Sequence, residues 1–370
     1  MTSTRGRIDM PVFATAGEIH AGYKRLNPPS DARIDALVDM HEALLDEAAA
    51  HHHLGWRPAG GENNKYHFTL DRDRLRRFAD FAYGGIGFEV SNDFLQTAPT
   101  LDDLAPEIEK DPEIVREAQR SILDWIKVET VNARMNFADK EIEWAALLNE
   151  PARIGGVYLD ILSATPPIRV SNQSARVSWR APRLATALGR APTSLLEIGG
   201  GHGKFVRDCA LFMPETRLFL TDLPFNLIIQ ARYLEEYFGD SVNLCLLADQ
   251  DVNPQARINL VAPWRLDRIP GPIDVAANFL SFQHMDADNL AWYGAAIEAL
   301  GIGSIFHLNR LTTRDPHDLA ADDYPFRGRF HSSLRVVSPL GKLKRPDGAQ
   351  ADIEGVLELL TCATAPAEDE

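Results

Sequence analysis

The sequence predicts an α/β domain with a mostly parallel, doubly wound sheet, preceded by a helical N-terminal domain. Three observations support this prediction. The chain has 370 residues, more than one ordinary domain needs. Helix-like patterns fill its first half, and short apolar runs alternate with helical patterns in its second half. Strands that alternate with helices imply right-handed crossovers, which produce a parallel sheet covered on both faces.

Residues 1–170 form the predicted helical domain. Apolar spacing predicts an amphipathic helix over residues 31–50, begun by Ser30 or Asp31, and a longer one over residues 112–133. A third helical pattern covers residues 71–83. The Gly-Gly pairs at 60–61 and 84–85 mark loops, and the boundary with the second domain is expected at the Pro-rich residues 165–167.

Residues 171–370 form the predicted α/β domain. Its expected elements are a strand at 194–199, a helix at 204–212, a strand at 217–221, a helix at 225–238, strands at 242–247 and 273–280, a helix at 287–300 and a strand at 304–311.

Composition narrows the classes of partner. A net charge of −15 repels a phosphate backbone, so no nucleic acid partner is expected, and the basic residues at 342–345 are interpreted as a solvated loop. No run approaches the ~18 apolar residues of a membrane helix, and the N-terminus lacks the apolar segment of a signal peptide. No membrane insertion and a cytoplasmic location are therefore expected. The three cysteines lie too far apart to form a metal or redox motif.

A glycine-rich turn follows the first strand of the second domain. The segment reads Leu195-Leu196-Glu197-Ile198-Gly199-Gly200-Gly201-His202-Gly203-Lys204-Phe205. Glycine permits positive φ and lets a ligand approach the backbone closely. A dinucleotide fingerprint needs a further glycine or alanine, and this chain has Lys204 or Val206 at that place.

What fits is an acid followed by alternating glycines, namely Glu197, Gly199, Gly201 and Gly203. This pattern resembles motif I of class I methyltransferases. The resemblance implies S-adenosyl-L-methionine as cofactor, with the glycines making room for its amino acid half. It also implies that the Glu197 carboxylate interacts with the positively charged ammonium and sulfonium groups of the cofactor. The alternative is a glycine-rich turn without a ligand.

Two later strands also end in acids. Asp222 lies 25 residues after Glu197, before Leu223 and Pro224. A carboxylate there can accept hydrogen bonds from both ribose hydroxyls of an adenosine. Leu223 is placed with Asp222 in the cofactor site. A helix N-cap is the alternative for Asp222. The resemblance also implies that Asp249, after the strand at 242–247, binds the adenine amino group. The alternative is that Asp249 is a solvated loop residue.

Polar residues past the later strands are candidates for the acceptor site, because ligands of open α/β sheets lie beyond the carboxyl ends of the strands. His284 is our candidate general base, since a neutral imidazole can take a hydroxyl proton near pH 7. Asn278 is placed with the cofactor, or else satisfies backbone groups. The candidates for contacts with the acceptor are Ser281, Gln283, Asn309 and Arg310.

Other histidines and acids in this half are expected to be structural. His307, within an apolar strand, is interpreted as a hydrogen-bonded core histidine. Asp286 and Asp288 could bind a divalent ion, but no metal is included in the prediction. The histidine run at 51–53 is expected to be a helix end or loop.

Three segments together resemble the sugar O-methyltransferase family within the class I methyltransferase superfamily, with its Rossmann-like domain. They are Glu197-Ile198-Gly199-Gly200-Gly201-His202-Gly203, Asp222-Leu223-Pro224 with Gln230-Ala231-Arg232-Tyr233-Leu234, and Asn278-Phe279-Leu280-Ser281-Phe282-Gln283-His284-Met285. That family usually has glutamate at the position of His284. Plant caffeate-type methyltransferases share the Asp-Leu-Pro segment and use a histidine base.

The resemblance implies methyl transfer to a hydroxyl of a sugar, glycoside or related small molecule. A phenolic or other non-sugar acceptor is the first alternative, and an NAD-dependent oxidoreductase or a non-catalytic scaffold are alternatives of other classes. The helical domain is expected to cover the acceptor pocket, to form a homodimer interface, or both.

Overall fold

The computed structural model describes residues 13–51, 72, 75, 112–151, 158–312, 319–344 and 350–362. Its helices are α1 (Ala16–Gly22), α2 (Asp31–Ala50), α3 (Pro112–Asn136), α4 (Glu141–Leu147), α5 (Asn172–Val177), α6 (Arg180–Leu188), α7 (Lys204–Phe212), α8 (Pro224–Phe238) and α9 (Ala287–Ala299). Its strands are β1 (Tyr158–Ile161), β2 (Ile168–Ser171), β3 (Ser194–Ile198), β4 (Arg217–Thr221), β5 (Val242–Cys245), β6 (Ile258–Val261), β7 (Val275–Phe279), β8 (Ser304–Arg310), β9 (Phe330–Lys344) and β10 (Gln350–Cys362).

A sheet with the order β5-β6-β4-β3-β7-β8-β10-β9 forms the centre of the described structure. Strands β3 to β8 pair in parallel, whereas β10 is antiparallel to both β8 and β9. The chain winds outward from β3 through β4 and then returns to the other side of β3 at β7. This reversal is the topological switch point, where open α/β sheets bind ligands. The predicted fold class, a mostly parallel doubly wound sheet behind N-terminal helices, is confirmed.

Two parts of the sheet differ from the predicted elements. The short strand β6 was not predicted, because Asn259 interrupts its apolar run, and it lies between β4 and the edge strand β5. The long β9–β10 hairpin was also not predicted. Residues 342–344, interpreted from the sequence as part of a loop, form the end of β9 instead.

The N-terminal helices match the predicted ones where the structure describes them. The Ser30 side chain accepts a hydrogen bond from the Arg33 backbone N–H and caps α2. Helix α3 continues three residues past the predicted end at 133. The predicted helix at 71–83, except for Arg72 and Leu75, and both Gly-Gly pairs lie outside the described residues. None of the helices within the described ranges is long and apolar enough to cross a membrane.

Helices from both predicted domains share one hydrophobic core. Ile19 of α1, Leu37 and Leu44 of α2 and Leu147 of α4 belong to the same buried cluster as residues of the sheet such as Leu195. Helix α2 packs along α8, and its Arg33 forms an ion pair with Glu235. Helices α1, α2 and α4 therefore pack directly on the α/β domain, and the boundary near residue 170 stays a prediction.

Candidate active site

The glycine turn adopts the backbone conformation that its sequence predicts. Gly199, Gly201 and Gly203 have φ angles of +72°, +60° and +92°, a region that side chains with a Cβ atom rarely adopt. A Cβ atom at Gly199 would lie 2.0 Å from the Ser281 hydroxyl oxygen. By contrast, no described atom lies within 4 Å of a Cβ atom at Gly201. The turn therefore packs tightly on one side and borders open space on the other.

Glu197 is buried beneath this turn. Its side chain is 2% exposed, and its Oε2 atom has no hydrogen-bond partner among the described residues. Burial raises the pKa of the Glu197 carboxyl to about 8, an effect that the guanidinium of Arg180 opposes. A buried carboxyl with an unsatisfied oxygen is costly to the fold. The sequence predicted this acid for the cofactor site, and its environment suits a cationic ligand group.

Asp222 holds the glycine turn to the end of β4. Its carboxylate accepts hydrogen bonds from the Gly201 N–H at 2.9 Å, the Leu223 N–H at 2.7 Å, Asn226 Nδ2 at 2.8 Å and Gln230 Nε2 at 3.0 Å. Burial raises its pKa to about 6, although these hydrogen bonds oppose the shift. Leu223, not Asp222, is the N-cap residue of α8, so the capping alternative for Asp222 does not describe the structure.

The assignment of Asp249 to the adenine site stays a prediction. Asp249 is exposed and follows β5, which is the edge strand and does not neighbour β4. The neighbour of β4 is β6, and the residues after β6 are Ala262, Pro263 and Trp264. The Trp264 ring stacks on the His51 ring at the end of α2, with centroids 5.5 Å apart. The sequence did not point to Trp264, because β6 was not predicted.

Asn278 and Asn309 connect the ends of neighbouring strands. Both are fully buried. Asn278 donates to the Ile198 carbonyl at 2.7 Å and accepts from the Phe282 N–H and from Asn309 Nδ2, both at 3.0 Å. These hydrogen bonds give both residues a structural role, and the contacts of Asn278 with the cofactor and of Asn309 with the acceptor stay predictions. The alternative for Asn278, that it satisfies backbone groups, is what the structure shows.

Gln283 and Arg310 belong to the same buried network. The Gln283 side-chain oxygen accepts a hydrogen bond from the Arg310 N–H at 3.1 Å, and its Nε2 atom lies 3.3 Å from His284 Nε2. Gln283 is 4% exposed and Arg310 is 6% exposed. Their contact with an acceptor stays a prediction, and the structure assigns Gln283 a supporting position behind His284.

Ser281 and His284 lie beyond β7, where the sequence predicted the acceptor. His284 is exposed and ends a short 3₁₀ turn. Ser281 lies against Gly199 of the glycine turn. Between β7 and Ser281, Leu280 has a φ of +60°, and it is the one non-glycine residue with positive φ in the described ranges. Such strain often marks a functional site, and here it directs the chain from β7 towards the glycine turn.

His307 and Asp286 have structural roles, whereas His52 and His53 lie outside the described residues. His307 is fully buried, with Nε2 3.4 Å from the Glu358 carboxylate, and burial lowers its pKa although Glu358 opposes the shift. Its interpretation as a hydrogen-bonded core histidine is confirmed. Asp286 caps α9 by accepting the Asn289 N–H at 2.8 Å. The described residues contain no group of three His, Cys, Asp or Glu side chains placed to hold a metal ion.

Sequence reasoning missed the charged residues that reach this site from earlier helices. Arg180 of α6 lies over the Phe279 ring at the end of β7, and its charge affects the pKa of Glu197. Glu129 of α3 is also buried, and burial raises its pKa to about 7. Both residues belong to helices without a recognisable motif, so no sequence signal pointed to them.

Comparisons with known proteins find similarity in structure only. No family model matches this sequence, and no curated protein is similar to it. TehB from Haemophilus influenzae is 12% identical over 49% of this chain and 61% of its own, with a TM-score of 0.35. The N-methyltransferase NodS from Bradyrhizobium japonicum, solved with S-adenosyl-L-homocysteine, is 13% identical over 50% of this chain and 87% of its own, with a TM-score of 0.34. A SAM-dependent methyltransferase from Anabaena variabilis is 15% identical over 46% of this chain and 77% of its own, with a TM-score of 0.32. These scores are low, and the fold class of this chain rests on its own strand order.

Proposed function

We propose that this protein is an S-adenosyl-L-methionine-dependent methyltransferase. The observation that carries the proposal is the glycine turn at the switch point, with three positive φ angles above a buried Glu197 oxygen that lacks a partner. A carboxylate in that place suits a cofactor with an ammonium and a sulfonium group. When bound, such a cofactor supplies a methyl group for in-line displacement by an acceptor oxygen.

A nicotinamide cofactor fits the same turn poorly. The third position of a dinucleotide fingerprint would require a glycine where Lys204 or Val206 stands. The Lys204 side chain is 2% exposed, and its Nζ lies 2.7 Å from both carboxylate oxygens of Asp208. The third glycine of the fingerprint lets the helix pack closely on the strand. In one register of this chain, the same position carries the buried Lys204–Asp208 ion pair instead.

Calorimetry with S-adenosyl-L-homocysteine and with NAD tests the cofactor. We expect the methyltransferase product to bind with a Kd in the micromolar range and NAD to give no heat of binding. The reverse result would replace this proposal with an oxidoreductase, and binding of neither would support the scaffold alternative.

We infer that the acceptor is a hydroxyl of a sugar, glycoside or related small molecule. His284 is exposed beyond β7, next in sequence to Gln283 and three residues after Ser281. In this role His284 accepts the hydroxyl proton, and Ser281 orients the acceptor beside the glycine turn. A phenolic hydroxyl would use the same base. The homodimer and the cytoplasmic location predicted from the sequence remain part of this proposal.

A product assay with labelled cofactor against nucleotide sugars, glycosides and phenols identifies the acceptor class. With the acceptor found, we expect His284→Ala to lower turnover ~10²-fold or more while cofactor affinity is kept. His331→Ala is the matched control, because His331 is also exposed but lies in β9. Unchanged turnover in His284→Ala would remove this residue from the mechanism.

A further inference from the structure

Arg180 lies at the carboxyl end of the sheet and forms no hydrogen bond or ion pair with the residues that the structure describes. It is the first residue of α6, and its guanidinium carbon lies 4.3 Å from the centre of the Phe279 ring. Its Nε atom is buried and has no hydrogen-bond partner within the described ranges. Stacking on an aromatic face holds a guanidinium in place but leaves its N–H donors unused.

The packing around Arg180 places it near the glycine turn. The Phe279 ring beneath it ends β7, which pairs with β3 so that Ala277 lies beside Glu197. The same ring packs on Phe205 at the start of α7, with centroids 4.7 Å apart. The pKa of Arg180 is lowered to about 10 by burial, and Glu197 is the strongest of the charges that oppose this shift. Arg180 also lowers the pKa of His202, which is part of the turn. Yet Arg180 and Glu197 form no ion pair with each other, and each keeps a buried polar atom unsatisfied. A half-buried guanidinium and a buried carboxyl are thus held near each other without forming an ion pair.

Two such groups are complementary to a zwitterion. An α-amino acid carries an ammonium and a carboxylate on the same carbon, and each needs a partner of opposite charge when it leaves water. A guanidinium is the side chain best suited to a carboxylate, because its planar fork can donate two parallel hydrogen bonds. The amino acid half of S-adenosyl-L-methionine is a ligand of this kind.

We propose that Arg180 binds the α-carboxylate of the cofactor while Glu197 binds its ammonium, so that an arginine outside the glycine motif selects for the intact amino acid half. This inference rests on the proposed function, because it specifies how that cofactor is held. It also assigns α6, the helix before β3, a direct part in the site.

The test compares three ligands on Arg180→Gln. The ligands are S-adenosyl-L-homocysteine, its decarboxylated analogue that keeps the amine, and 5′-methylthioadenosine, which lacks the amino acid half. We expect the substitution to weaken S-adenosyl-L-homocysteine binding by about 10- to 100-fold, the range for a charged hydrogen-bonded contact. Binding of the two ligands without a carboxylate should change by less than about twofold, because they never contact Arg180.

Arg176→Gln is the matched control. Arg176 belongs to the preceding helix α5 and lies over the Trp125 ring, 5.2 Å from its centre, instead of over Phe279. We expect this variant to bind all three ligands as the unmodified protein does. If Arg180→Gln does not fold, judged by far-UV circular dichroism, Arg180→Lys replaces it. Lysine keeps the charge but loses the fork, so a smaller loss confined to S-adenosyl-L-homocysteine is expected.

The outcomes separate this inference from the proposed function. An equal loss for all three ligands would mean that Arg180 only shapes the pocket, and it would overturn the inference. If the unmodified protein binds none of the nucleosides, the proposed function fails, and the role of Arg180 fails with it. If it binds all three equally well, the cofactor site stands and the carboxylate contact is rejected.

Discussion

Gly201 and Gly189 have similar positive φ angles in very different places. Their φ angles are +60° and +69°, and no described atom lies within 4 Å of a Cβ atom at either position. Gly189 ends helix α6, whereas Gly201 belongs to the glycine turn. An alanine at either position should cost about 1 kcal/mol of folding free energy through backbone strain alone. The pair can therefore separate strain from blocked binding.

We expect Gly201→Ala to weaken S-adenosyl-L-homocysteine binding by about tenfold or more and Gly189→Ala to leave it unchanged. At Gly201 the added methyl group would occupy space that the proposed cofactor needs. Calorimetry gives the affinities, and urea unfolding verifies that both variants lose similar stability. Equal affinities in the two variants would show that the open side of the turn is not the binding side.

The Glu197 carboxyl predicts a proton release on cofactor binding. With a pKa of about 8, this group is mostly protonated at pH 7, and a bound ammonium should favour its ionised form. Affinity should rise with pH up to about 8 and then level off. Calorimetry in buffers of different ionisation enthalpy should detect the released proton, and Glu197→Gln should abolish it. A pH-independent affinity in the unmodified protein would contradict a contact between Glu197 and the ammonium.

Glu197 should also make folding stability depend on pH. Its pKa is raised above the ordinary value of 4.5, so the folded protein binds a proton that the unfolded chain releases. The stability that results is fully present below about pH 4.5 and is lost as the pH rises through about 8. The Glu197→Gln variant should lack this part of the pH dependence.

At the residue scale, the sequence predicted the site residues that belong to one motif and missed those that other parts of the chain contribute. The three glycines and Glu197 were recognisable because positive φ and an acid at a strand end leave a local pattern. Arg180 could not be found in this way, since its helix contacts the site only through tertiary packing. The hydrogen bonds of Asn278 and Asn309 to neighbouring strands were not predicted for both residues, because a polar residue at a strand end can bind a ligand or its neighbouring strands equally well.

Helix α7, directly after the glycine turn, contains a buried group of charges. Lys204 and Arg207 both donate to Asp208, at 2.7 Å and 2.6 Å, and Arg207 also donates to Glu150 at 3.0 Å. All four side chains are at most 2% exposed. Glu150 precedes β1, so the N-terminal part of the chain helps to position the helix that follows the turn.

We expect Asp208→Asn to destabilise the protein by about 3 kcal/mol or more. The change leaves Lys204 and Arg207 without their shared counter-charge in a site that water does not reach. Asp124→Asn is the matched control, because its ion pair with Lys127 is exposed on α3 and should contribute little. Urea unfolding measures both variants. A similar small effect in the two would mean that the buried charges compensate one another without Asp208.

At the scale of elements, β3 and α7, which have strong apolar runs, were predicted almost to the residue. Elements with interrupted apolar runs, such as β6, were not predicted. Because β6 was not predicted, the strand beside β4 was not recognised, and the residues that follow it were not considered for the site. The β9–β10 hairpin was missed because polar residues on its exposed side, such as His331 and Ser332, break up the apolar pattern.

At the scale of the whole molecule, the shared core predicts one cooperative unfolding transition. Leu44 of α2 is fully buried in the cluster that also includes the sheet. Leu44→Ala should therefore lower the stability of helices and sheet together, by about 2–5 kcal/mol. Leu123→Ala is the control, since Leu123 on α3 is 41% exposed. Urea unfolding followed by circular dichroism and by tryptophan fluorescence should give coincident curves. Two separate transitions would indicate two independent domains divided near residue 170.

The four donors around Asp222 have a consequence for nucleoside recognition. Two carboxylate oxygens accept about four hydrogen bonds, and the protein itself already provides four. Ribose hydroxyls can reach this carboxylate only by exchange with the amides of Asn226 and Gln230. Exchange of one hydrogen bond for another yields little net free energy. Asp222 would then mainly hold the glycine turn in position. A deoxyribose analogue should bind almost as tightly as the parent nucleoside.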